Sequence, residues 1–305
     1  MRPRTQRRLT FAALSTIGAL FMAEAAVSIL GRRALLAWEA PVPVTHTGAP
    51  YLPGNPYLLW EMVPGERTEM GVDVHVNELG FRGPETTQSK PANKRRIVVI
   101  GDSTVYGHGV PDEDVFAQRL DTSLGSDIEV LNLGAPGYST EQSLNLMEMR
   151  GWDLSPDLLV VANLWSDNNF DSFVDKTIIS KRMDIESSWA PLASRWLQTS
   201  ALYRWMDWHI RLEPRADEVK TVGWMLGRTP TGGYRRVSVN DYASNLQTIV
   251  DRAQSRGASV MFVSFANAVD MGADTDGAIA WTLYREVMTA VAAKNGSPLV
   301  NVQHL

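Results

Sequence analysis

Four β-branched residues in a row, Ile97-Val98-Val99-Ile100, run into Gly101-Asp102-Ser103, and this abrupt end constrains the fold more than any other feature of the chain. A short apolar run between Lys94-Arg95-Arg96 and a glycine reads as a strand buried on both faces, as in parallel sheets covered by helices. Open α/β sheets collect ligands at the carboxyl ends of such strands. Ser103 is therefore placed in a crevice, and a helix over about 114–124 would aim backbone N–H groups and a positive dipole end at an anion formed there. Asp and Ser also cap helices without any chemistry, so Gly-Asp-Ser alone leaves both readings open.

The next two apolar runs narrow the choice. Residues 128–133 read as a second buried strand leading into Asn132-Leu133-Gly134-Ala135-Pro136-Gly137-Tyr138-Ser139-Thr140, a loop whose glycines permit close backbone approach. Residues 158–164 read as a third, ending in Trp165-Ser166-Asp167-Asn168-Asn169. Three successive strand ends thus deliver a hydroxyl, a glycine N–H and a cluster of short polar side chains. A helix over 241–254, a strand over 259–265, a helix over 277–294 and a fifth strand over 298–302 continue the alternation.

This order resembles the SGNH/GDSL hydrolase superfamily, with its Gly-Asp-Ser nucleophile turn, glycine loop, Gly-x-Asn-Asp loop and late Asp-x-x-His. Val76-Asn77-Glu78-Leu79-Gly80-Phe81-Arg82-Gly83-Pro84 and the Asn-x-Gly-x-x-Gly-Tyr-Ser form of the glycine loop are similar to a membrane-anchored bacterial branch. The resemblance runs from Val76 to the C-terminus, and its first two blocks are the specific ones. It implies that Ser103 is the nucleophile and that its own N–H is one oxyanion donor. It also implies Gly137 as the second donor, with Gly134 serving the turn. The family's oxyanion asparagine falls on Ser166, whose hydroxyl reaches less far than an amide, and Asn163 or Asn168 are alternatives in a bulged loop. Removing one such donor typically costs about 100- to 1000-fold in rate.

The fourth block departs from the pattern. The family's Asp-x-x-His lies some 20 residues beyond the fifth strand, whereas Asn301-Val302-Gln303-His304 lies in or beside that strand and Asn301 is not a carboxylate. His304 is read as a strand-end histidine. His46 and His75 precede the domain, His108 follows Ser103 on its own loop, and His209 sits among tryptophans, so none forms an evident triad. The expectation is that the hydrolase domain continues past Leu305 and that the base lies there; a pseudoenzyme is the alternative.

With a formal net charge of -5 and no aromatic-interleaved basic stripe, nucleic acid is not an expected partner. The absence of cysteine excludes disulfides, thiolate catalysis and thiolate metal sites, and no cofactor or metal is expected. Arg2, Arg4, Arg7 and Arg8 precede an apolar stretch over 9–30 in which Glu24 is the single charged residue. That length spans a bilayer, and the arginine excess places the N-terminus in the cytoplasm and the domain outside the inner membrane. A signal peptide cleaved near Ala23-Glu24-Ala25 is the competitor.

Residues 1–8 thus form a basic tail, 9–30 a transmembrane anchor, 31–95 a proline-spaced linker and extension with a short hairpin (72–76 and Phe81), and 96–305 the hydrolase-like domain. An insertion over 170–235 holds five of the ten tryptophans and reads as a helix packed on the domain, a lid, or a membrane-resting surface. The expected fold is a three-layer flavodoxin-like α/β domain with a parallel sheet plus one transmembrane helix. The expected activity is esterase or O-acetyltransferase chemistry on an acylated small molecule or envelope glycan, against a non-catalytic glycan binder as the rival.

Overall fold

The structure is a computed structural model that describes residues 3–30, 51–53, 58–171, 174–177, 179, 200, 202–203, 206, 234–266 and 278–304. The N-terminal helix α1 (Pro3–Leu30) contains one stretch, Thr10–Ile29, long and apolar enough to cross a membrane. Short strands β1 (Tyr51–Pro53) and β2 (Trp60–Met62) pair, and β3 (Gly65–Glu69) forms an antiparallel hairpin with β4 (Val72–Val76).

The domain is built on five parallel strands, β5 (Arg95–Ile100), β6 (Ile128–Asn132), β7 (Leu158–Val161), β10 (Ser259–Ser264) and β11 (Leu299–Asn301), in spatial order β11-β10-β7-β5-β6. Side chains alternate across a strand, so Val98 and Ile100 enter one core and Ile97 and Val99 the other. That is why an unbroken apolar run was required. The first core is covered by α4 (Thr140–Leu146), α6 (Val239–Ser255) and α7 (Ala278–Asn295) together with residues 58–62. The second carries α3 (Phe116–Leu124) and Val105 of the one-turn α2 (Ser103–Tyr106). The flavodoxin-like order is therefore as expected, and its reversal point lies between β5 and β7.

Three boundaries differ from the sequence reading. Strand β7 stops at Val161, because Asn163 to Asn168 turn into the short helix α5 (Trp165–Asn168). Residues 112–114 form a separate 3-10 turn before α3, and the helix nearest the β5 end is α2, of which Ser103 is the first residue. Arg96 is no solvated flank: it is fully buried and holds Glu129 and the carbonyls of Thr87, Gln88 and Leu154.

The two ends of the 170–235 insertion are zipped by β8 (Phe170–Asp171) and β9 (Tyr234–Arg235), an antiparallel pair. Its tryptophan-rich helical face lies outside the described residues, as do most of 31–57, His46 and His209. Glu24 of α1 accepts hydrogen bonds from Ser200 Oγ (2.7 Å) and the Leu202 N–H (3.0 Å).

Candidate active site

Ser103 begins α2 three residues past the end of β5, and the helix exists because Asp102 caps it: Oδ1 accepts the Thr104 N–H at 2.9 Å. The same buried carboxyl reaches across the reversal point, with Oδ2 accepting the Ser166 N–H at 3.1 Å. One aspartate thus fixes the β5 and β7 loops against each other. Burial pushes its pKa above the ordinary value, opposed by those backbone N–H groups. The Ser103 N–H is among the first amides of a helix, which have no intrahelical acceptor, and neither it nor the Ser103 hydroxyl has a partner among the described residues.

The upstream Val76–Pro84 motif braces this turn. Asn77 Oδ1 accepts the Leu79 and Phe81 N–H groups, shaping a bend from which the buried Arg82 projects. Arg82 donates to the carbonyls of Tyr106, Gly107 and Val110 and to Asp112, so the segment after the nucleophile has little room to move.

The glycine loop comes from the other neighbour, β6. A Cβ on Gly134 would lie 2.6 Å from the Tyr106 nitrogen and 2.7 Å from Val105 Cγ1. Gly134 therefore serves the contact between this loop and α2, not a turn, and φ is not positive there. The turn belongs to residues 135–138: the Tyr138 N–H donates to the Ala135 carbonyl at 3.0 Å, Pro136 holds the second position and Gly137 the third with φ +80°. That is a type II turn, which needs a positive φ at its third residue.

The amides along the loop are nearly all engaged. Leu133 donates to Val99, Gly134 to Asn132 Oδ1, Ala135 to Gly101, Ser139 to Gln142 Oε1 and Thr140 to Asp167 Oδ1. Pro136 has no N–H. Among the described residues only the Gly137 amide in this stretch lacks an acceptor.

Ser166, buried at the third strand end, uses its N–H on Asp102, and its hydroxyl has no partner among the described residues. Asn163 Nδ2 is directed to the Tyr138 carbonyl (3.4 Å), while Asn163 Oδ1 and Asn168 Oδ1 are buried without partners. Trp165 beside them is 44% exposed and meets Trp281 edge-on at 5.0 Å between centroids.

Residues that no local pattern singled out hold this assembly. Asp167, fully buried, accepts both the Thr140 N–H (2.9 Å) and hydroxyl (2.5 Å) on Oδ1, leaving Oδ2 unpartnered. Burial raises its pKa to about 8, with Asp175 adding and Arg236 opposing. Arg236 and Asp175 form a buried ion pair at 2.7 Å. Arg236 also donates to the Gly137 carbonyl (2.5 Å) and Gln142 Oε1 (2.8 Å), and Ser139 donates to Asp175 (2.5 Å).

Two histidine rings are described. His75 is held between Glu66 (2.6 Å) and Glu85 (3.0 Å); burial opposes its charge, yet these carboxylates raise its pKa. His108 Nδ1 is buried with no partner. The side chain of His304 lies outside the described residues. A cleft of about 200 Å³ between the 77–86 segment and α3, lined by Arg82, Asp112, Asp121 and Glu129 among others, includes none of Ser103, Gly137 and Ser166.

Among solved structures the chain is similar to a lipase/acylhydrolase from Enterococcus faecalis (16% identity over 69% of this chain and 77% of that one, TM-score 0.39). It is also similar to AlinE4, an SGNH-hydrolase family esterase (16%, 69% and 77%, TM-score 0.40), and to the acetyl xylan esterase AlAXEase (13%, 68% and 78%, TM-score 0.42). No protein-family model and no curated protein sequence matches it.

Proposed function

We propose that this chain is a serine-dependent acyl-ester hydrolase or O-acyltransferase acting on an acylated small molecule or envelope glycan, with its domain outside the inner membrane and α1 as its anchor. The observation that carries the reading is the pairing of two unpartnered amides, Ser103 N–H and Gly137 N–H, on adjacent strand-end loops that touch each other beside a serine hydroxyl.

Ser103 Oγ attacks the ester carbonyl and its proton passes to a base; the tetrahedral oxyanion is held by the Ser103 and Gly137 amides and the Ser166 hydroxyl. Collapse expels the alcohol and leaves an acyl-serine. Water as the second acceptor gives hydrolysis, and a sugar hydroxyl gives transfer. His75 has both ring nitrogens committed to carboxylates, so the base is another group. Exposed Trp165 offers a face on which a sugar ring could stack.

A glycan-binding role without catalysis is the second reading, favoured by the fact that neither described histidine ring is paired as a triad base. The full gene product purified in detergent separates the two when assayed on p-nitrophenyl acetate and acetylated sugars. Ser103→Ala is expected to reduce turnover to the uncatalysed background. Absent turnover, or turnover indifferent to Ser103→Ala, overturns the catalytic reading.

A further inference from the structure

The chain ahead of the sheet grips the glycine loop. Trp60 is buried and donates its indole N–H to the Pro136 carbonyl at 3.1 Å. The Tyr138 hydroxyl donates back to the Trp60 carbonyl at 2.7 Å, and the two rings meet edge-on at 5.7 Å. Gln142 Nε2 reaches the Leu58 carbonyl at 2.7 Å, and the Arg236 guanidinium lies 5.5 Å over the Trp60 ring.

The Pro136 carbonyl and the Gly137 N–H belong to one peptide unit. In a trans peptide these two groups point in opposite directions. Type I and type II turns differ by a flip of this central peptide, and a glycine at the third position tolerates either form. A turn built on Pro136-Gly137 therefore has two states within reach, which present the Gly137 N–H to opposite sides. The Trp60 hydrogen bond selects one of them. Arg236 holds the next peptide through the Gly137 carbonyl.

We propose that Trp60 is a positioning residue for the reaction: it locks the 136–137 peptide in the type II state so that the Gly137 amide faces the oxyanion, which makes the segment before the α/β domain part of the catalytic apparatus. This rests on the Ser103 reading above.

The test is steady-state kinetics of the full chain in detergent with Trp60→Phe, which keeps an aromatic ring and removes the N–H. A net hydrogen bond of about 1 kcal/mol corresponds to about a fivefold change in the turn equilibrium. The expected result is kcat lowered by up to about fivefold at unchanged KM. Gly137→Ala disfavours the positive φ and acts on the same peptide, so the double variant should lose less than the product of the two single losses. Unchanged kcat in Trp60→Phe, a rise in KM with kcat retained, or fully multiplicative losses would overturn the proposal. If the parent's turnover is absent or survives Ser103→Ala, the reading of the site itself fails; if turnover depends on Ser103 but not on the indole N–H, only the peptide lock fails.

Discussion

Asp167 is a carboxylic acid whose titration the fold strongly alters, and Asp167→Asn isolates the effect. Its carboxyl is fully buried, accepts two bonds from Thr140 on one oxygen and has nothing on the other, an arrangement that suits a protonated acid. With a folded pKa of about 8 against 3.8, the native state keeps a proton that the unfolded chain has released. The stabilising effect of that proton is fully present below about pH 4 and is lost as pH rises through the folded value of about 8, the region between contributing a slope of about 1.4 kcal/mol per pH unit. At 1.36 kcal/mol per pKa unit the ceiling is about 6 kcal/mol. Asparagine keeps the acceptor for Thr140, places an NH2 where the acid has its hydroxyl, and does not titrate. Urea unfolding of parent and variant in detergent, followed by tryptophan fluorescence at pH 5, 6.5 and 8, reads the difference. Contributions from Asp102, Glu141 and His75, whose pKa values are also raised, are common to both proteins. The parent should lose about 4 kcal/mol relative to the variant between pH 5 and pH 8. Parallel pH profiles would refute the assignment of a neutral, buried acid.

Gly134→Ala forces a methyl against the Tyr106 backbone nitrogen, which no side-chain movement relieves. The expected cost is about 1–3 kcal/mol of stability in urea titration, with esterase turnover falling further than stability because the displaced helix carries Ser103; wild-type stability would show that the two loops are not in contact. A reporter active only outside the cytoplasm, fused after Trp38, should give signal, and the product should stay in the membrane fraction at high salt. Release of a shorter soluble protein would replace the anchor with a cleaved signal peptide.

The sheet was legible because its information is local. Ile97–Ile100 carries no polar residue, which only a strand covered on both faces tolerates, and the same holds for Leu158–Val161. Gly137 was separable from Gly134 by registering the loop on Asn132, although the role of Gly134 was misread, since close approach to a helix 28 residues earlier leaves no mark in the loop itself. Trp60, Asp175 and Arg236 could not be read. They meet the glycine loop across 76, 36 and 99 residues, and a single tryptophan or arginine carries no periodicity that reveals its partner. The four-residue α2 was equally hidden, because Asp102 looks the same in sequence whether it caps a helix or serves a catalytic turn.

The hydrogen bonds on Glu24 have a geometric consequence. The chain from Leu30 to Tyr51, where β1 pairs with β2, could stretch to about 70–75 Å at roughly 3.3–3.6 Å per residue, which would let a tethered domain sweep a wide volume above a bilayer. Ser200 and Leu202 bond to Glu24, which lies within the Thr10–Ile29 span, and Arg236, the residue after β9 of the same insertion, donates to the carbonyl of Gly137. With α1 in a membrane, those two bonds would hold Ser200 and Leu202 at the level of Glu24.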